Sequence, residues 1–103
     1  MIANTPQPPY YAVIFSSIMN EIDTGYQKMA AKMEELAKEQ PGYLGFESAR
    51  EELGISISYW KDLESIRKWK ANSEHLLAQE TGKKYWYKAY KVRIAKVERD
   101  YDF

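Results

Sequence analysis

Cysteine is absent from this chain of 103 residues. That excludes disulfides, thiol nucleophiles, iron–sulfur clusters and thiolate zinc sites. A surplus of basic charge is also missing, since Lys+Arg and Asp+Glu both number 15. Affinity for nucleic acid comes mainly from such a surplus on the phosphate backbone, so no nucleic-acid partner is expected. No apolar run approaches the roughly 20 residues that cross a bilayer, so no membrane association is expected. The opening MIANTPQPPYY has neither the basic start nor the apolar stretch of a secretion signal, and a cytoplasmic protein is the expectation. There is no Gly-rich phosphate loop, no nucleophile elbow and no dinucleotide fingerprint. No flavin or nicotinamide site is therefore visible, and no bound organic cofactor is expected. Glu47, Glu51 and Glu52 do not suggest a metal site, because no histidine stands near them and their spacing fits a turn.

What the chain does have is aromatic side chains, including nine tyrosines and three tryptophans. Such content in one short domain suggests a packed interface or a cavity for a flat ligand. A domain this small buries only roughly 60–65% of the surface its unfolded chain exposes, so a second copy would help to stabilise it.

Residues 1–9 are polar and Pro-rich and read as an irregular arm, followed by one domain over 10–103. Tyr10 to Ser17 is a β-branched and aromatic run, the first strand. Tyr11, Val13 and Phe15 point one way, and Tyr10, Ala12 and Ile14 the other, so this strand should be central and covered on both sides. Thr24-Gly-Tyr-Gln27 has the form of a capping box. Behind it Tyr26, Met29, Ala30, Met33, Leu36 and Ala37 mark one helical face, and Pro41-Gly42 stops the helix.

Phe46 to Arg50 is a short strand, Glu51 to Gly54 a turn, and Ile55 to Trp60 a strictly alternating strand, together a hairpin. In that last strand Ile55, Ile57 and Tyr59 take one face and Ser56, Ser58 and Trp60 the other. Asp62 can cap a second helix with Leu63, Ile66, Trp69, Ser73, Leu76 and Leu77 on its apolar side, ending near Gly82. Trp86 to Val97 is a long strand carrying Tyr90, Val92 and Ile94 on one face and Lys91, Arg93 and Val97 on the other. Lys83-Lys84 reads as a solvated turn, and the charges of the last strand as guards against edge pairing.

The order strand, helix, strand, strand, helix, strand is the ferredoxin-like βαββαβ plan of the α+β class. It has a four-stranded antiparallel sheet with both helices on one face. The other face then has no cover within the chain, and a homodimer packed sheet to sheet is the expectation.

The segment ISYWKDLESIRKWKANSEHLLAQETGKKYW, followed by YKVRIAKVERDYDF, resembles the antibiotic biosynthesis monooxygenase family of the dimeric α/β barrel superfamily. The similarity runs from about Tyr10 to Phe103. It is densest from Gly54 onward, through Tyr59-Trp60, Trp69, Glu74-His75, Ala78 and Gly82, and PGYLGFES also fits. The resemblance implies two chains whose sheets close a shared barrel, with a pocket between sheet and helices in each. Members oxidise polycyclic quinol-type substrates without flavin or metal, others degrade haem, and many have no assigned activity. The haem-degrading branch uses an asparagine near the end of the first strand and a tryptophan and a histidine on the second helix. Trp69 resembles that tryptophan. The first strand here ends Phe15-Ser16-Ser17 without an asparagine, and His75 follows Trp69 at a shorter spacing than in that branch.

The candidate catalytic residues are accordingly His75 and Trp69, and the candidate substrate-binding residues Trp60, Tyr59, Tyr87 and Tyr90, for a small aromatic of quinol or anthrone type. His75 is the one side chain that titrates near neutrality unperturbed, which suits a base that removes a phenolic or C–H proton. Its plainer role is a local hydrogen bond. On a continuous helix six residues turn about 600°, so only a break at Asn72-Ser73 would bring it to the side of Trp69. Trp60 and Trp69 wall a pocket or simply fill the core. The tyrosines donate to a substrate carbonyl or to the backbone. The alternatives are a non-catalytic ligand-binding or interaction dimer on this fold, and a haem-degrading monooxygenase.

Overall fold

The computed structural model describes residues 1–20, 24–81 and 86–103, with the side chains of Thr24 and residues 78–81 outside that description. The capping box at Thr24, the helix end at Gly82 and the Lys83-Lys84 turn therefore lie outside the described residues. Six elements follow in the expected order: β1 (Tyr10–Met19), α1 (Thr24–Lys38), β2 (Tyr43–Arg50), β3 (Leu53–Trp60), α2 (Leu63–Thr81) and β4 (Tyr87–Val97). They form a four-stranded antiparallel sheet, spatially β2-β3-β1-β4. The β-branched and aromatic run of β1 thus occupies an inner position, paired with β3 on one side and β4 on the other.

Strand boundaries extend past the sequence reading where pairing continues beyond the apolar run. β1 goes on to Met19 because Ile18 pairs with Leu53, and β2 begins at Tyr43, which pairs with Trp60. The hairpin turn shrinks to Glu51-Glu52, with the Glu51 N–H donating to the Leu53 carbonyl (3.2 Å). α1 ends before Pro41-Gly42, and Gly42 takes a φ of +86° that other residues resist. A side chain there would also run into Ser65. At α2 the Ser65 N–H donates to the Asp62 carboxylate (2.8 Å), the N-cap read from sequence. That bond, together with the Ser65 hydroxyl, holds the Asp62 carboxyl below its usual pKa.

Both helices pack over β2 and β3. Residues opposite one another in antiparallel pairs share a face, which fixes the two surfaces of the sheet. The helix side carries Tyr11, Val13, Phe15 and Ser17 of β1, Trp60 and Ser58 of β3, and Tyr90, Val92 and Ile94 of β4. The core sits here, with Ala37 of α1, Ile66 of α2 and Trp60 buried together and Tyr11, Val13, Tyr43 and Trp69 packed around them. Leu63, read as part of the apolar side of α2, is instead 54% exposed in the first turn of the helix.

The opposite side is not as bare as the sequence suggested. The N-terminal arm lies against it, with Ala3 over Gly45 and the Ala3 N–H donating to Glu47 (2.8 Å). Thr5 donates to the Tyr10 hydroxyl, which donates to Asp100, and Tyr10 packs edge-on to Tyr59. A methyl group, a backbone N–H and one hydroxyl of an irregular segment make this cover, which apolar periodicity cannot reveal. Beyond it Ile18, Leu53 and Ile55 remain exposed on the same side.

Candidate active site

Trp60 and Trp69 fill the closed end of the helix side. Trp60 is fully buried at the end of β3, its indole N–H donating to Ser58 Oγ (2.8 Å). Trp69 lies parallel to it at 5.7 Å between ring centres, and Tyr43 meets Trp60 edge-on at 5.7 Å. This contact joins α2 to the sheet as a packed aromatic stack.

At the other end the helix side of the sheet carries an aromatic shelf that is open among the described residues. Phe15 of β1 lies 5.3 Å from Tyr87 and 5.4 Å from Tyr90. Tyr26 of α1 closes the far side, edge-on to Tyr87 and to Trp86. Tyr90, Val92 and Ile94 extend the shelf along β4 and are 62%, 47% and 52% exposed. Burial, and then the neighbouring Tyr26 hydroxyl, push the Tyr87 hydroxyl well above the ordinary tyrosine pKa, so it stays protonated.

Arg50 reaches the same end from the last position of β2. Its guanidinium crosses Gly54 and donates to both the carbonyl and the hydroxyl of buried Ser17. A Cβ at Gly54 would collide with the guanidinium carbon, so the missing side chain is what admits the arginine. Trp86, also buried, has an indole N–H without a hydrogen-bond partner among the described residues.

The sequence candidates are thus divided. Tyr87 and Tyr90 come together on the shelf, and Trp60 and Trp69 come together in the stack. Tyr59 projects from the opposite side of the sheet, where its hydroxyl donates to Glu47 (2.7 Å). Burial and that carboxylate raise its pKa. His75 is exposed on α2, which runs unbroken through Asn72-Ser73, so the imidazole and Trp69 occupy different faces of the helix. Sequence reasoning passed over Phe15 and Tyr26 as core, and Arg50 and Ser17 as strand residues. The available signal was the arginine and glycine flanking a tight hairpin turn, which places one beside the other across two strands. Among the described residues no cluster of His, Asp and Glu could hold a metal ion.

An antibiotic biosynthesis monooxygenase family model matches residues 9–81. The chain belongs to that family. Uncharacterized protein YqjZ from Bacillus subtilis (strain 168) is 51% identical over 100 residues, covering 95% of this chain and 88% of that protein. Among solved structures, SnoaB, a cofactor-independent oxygenase from Streptomyces nogalater, superposes with TM-score 0.69 at 12% identity, covering 90% of this chain and 97% of its own. PA3566 from Pseudomonas aeruginosa superposes with TM-score 0.60 at 16% identity, covering 93% and 99% of the two chains. Identities this low speak for a shared fold alone.

Proposed function

We propose that this protein is a cofactor-independent monooxygenase of a small, electron-rich aromatic of quinol or anthrone type. The observation that carries this reading is the open shelf of Phe15, Tyr87 and Tyr90 beside a tyrosine hydroxyl held protonated. Planar rings bury well against such side chains, and a few placed polar groups fix their orientation. Membership of the family supports the reaction class.

In this scheme the substrate does the oxygen chemistry. A base removes a proton from the ring methylene, and the resulting anion passes one electron to O2. The radical pair combines into a hydroperoxide, which loses water, so that CH2 and O2 become C=O and H2O. The chain's part is to bind the ring and hold protons. Tyr87 donates to the developing oxygen anion, and His75, an imidazole of the type suited to proton abstraction, is the candidate base.

Oxygen uptake with anthrone and a set of quinols tests the reading. Uptake above buffer that falls at least about tenfold in Tyr87→Phe supports it, since general acid–base groups contribute roughly 10²–10⁴-fold. Uptake no greater than buffer with every compound rejects it. Unchanged uptake in His75→Ala removes that residue from the chemistry, leaving the site itself standing.

The stacked Trp60 and Trp69 favour a second reading, a non-catalytic ligand-binding dimer, because they fill part of the hollow between helices and sheet. Binding of anthrone without oxygen uptake is its signature. In either reading the functional unit is a homodimer, supported by the apolar residues exposed on both sides of the sheet.

A further inference from the structure

We infer that Arg50 and Ser17 form a receptor for an anionic oxygen, so that the ligand of the shelf is a planar aromatic bearing a carboxylate or enolate. This rests on the shelf being the ligand site, and adds to it the charge that the ligand carries.

Arg50 is half-buried, and among the described residues no carboxylate pairs with its guanidinium. A partly desolvated charge without a counter-ion is unfavourable, and it is stabilised by an anion that arrives with the ligand. Two contacts to Ser17 fix the orientation of the guanidinium and leave three of its five N–H groups to give. Its planar fork matches a carboxylate in bidentate geometry.

The site is also built around this side chain. Gly54 opens the space that the guanidinium occupies, and Ser17 is buried directly beneath it. Tyr87 lies close enough for the arginine charge to oppose part of its pKa rise. Ser17 pairs with Tyr90 across the sheet, so the charge stands at the margin of the aromatic surface. Trp86 adds a buried indole N–H without a partner among the described residues, next to Tyr26 at the same end. Unpaired donors, one cation and flat apolar walls describe an aromatic anion.

Fluorescence titration with 2-naphthoate and with 2-naphthol, alike in shape and different in charge at neutral pH, tests the inference. The expected result is at least about tenfold tighter binding of 2-naphthoate, with that preference lost in Arg50→Met and reduced by added salt. Arg50→Lys, which keeps the charge without the fork, is expected to retain part of the preference, and circular dichroism checks that each variant is folded. Gly54→Ala displaces the guanidinium without replacing it and is expected to behave like Arg50→Met. Equal affinity for both probes, or a preference that survives in Arg50→Met and Gly54→Ala, overturns the inference and leaves the shelf as a neutral aromatic site. Failure of both probes to bind overturns the shelf reading and this one with it.

Discussion

Arg50 and Gly54 illustrate how a single side chain acquires its meaning from the one it faces. The arginine lies over the backbone where another residue would carry a Cβ, and both of its bonds end on Ser17. The atoms that a methyl group would meet first belong to the movable end of that arginine, so Gly54→Ala is expected to preserve the fold. The net stability change should stay within about 1–3 kcal/mol, the cost of leaving buried Ser17 short of a partner, as read by urea denaturation. Tyr87 gives a test in pH. Its pKa is raised by burial, so the folded state holds this proton more tightly than the unfolded chain. Stability is then full below the ordinary tyrosine pKa of about 10 and declines as pH rises beyond it. Tyr87→Phe should flatten that alkaline decline in denaturation midpoints measured from neutral to alkaline pH. An unchanged slope would show that Tyr87 is hydrated in the native state.

At the scale of elements, α2 separates the two roles that the sequence had assigned to one place. Its N-cap at Asp62 and its inward residues Ile66 and Trp69 were legible from spacing alone, because capping and helical periodicity are local rules. Asp62→Ala is expected to cost about 1 kcal/mol, measured by thermal or urea unfolding. Whether Asn72-Ser73 interrupts the helix was not legible. Short polar side chains compete weakly for backbone bonds, and the packed segment on either side carries the helix through, with Ser73 Oγ donating back to the Lys70 carbonyl (3.0 Å). His75 therefore stays on the outer course of α2 while Trp69 stacks on Trp60. The turn before β2 is under tighter control. Gly42→Ala combines a disfavoured φ with a collision on Ser65, and a loss of at least about 1–2 kcal/mol is expected. The covering of the sheet by the arm escaped the sequence reading for the opposite reason. It depends on Ala3 meeting Glu47 and Asp100 meeting Tyr10 across long stretches of chain, and no local pattern encodes that.

For the whole molecule, the topology explains both what is sealed and what is open. Among the described residues the two helices pack over β2 and β3, where Trp60 completes the core, and Tyr90, Val92 and Ile94 of β4 are exposed. The aromatic shelf is the direct result, as is the supply of exposed apolar residues for a second copy. Sedimentation velocity at micromolar concentration is expected to give the mass of a dimer, and Ile55→Glu to shift it towards the monomer. A single chain persisting at high concentration would remove the partner from the account.

The central claim is that a flat aromatic binds where β1 and β4 meet. Backbone amide shifts on titrating the protein with anthrone under nitrogen, where no oxygen consumes the ligand, test it most directly. The expected result is a saturable set of shifts at Phe15, Ser17, Tyr87 and Tyr90. Shifts confined to the open groove of about 430 Å³ that Leu36 and Leu76 line between the two helices would contradict it, as would no shifts at all.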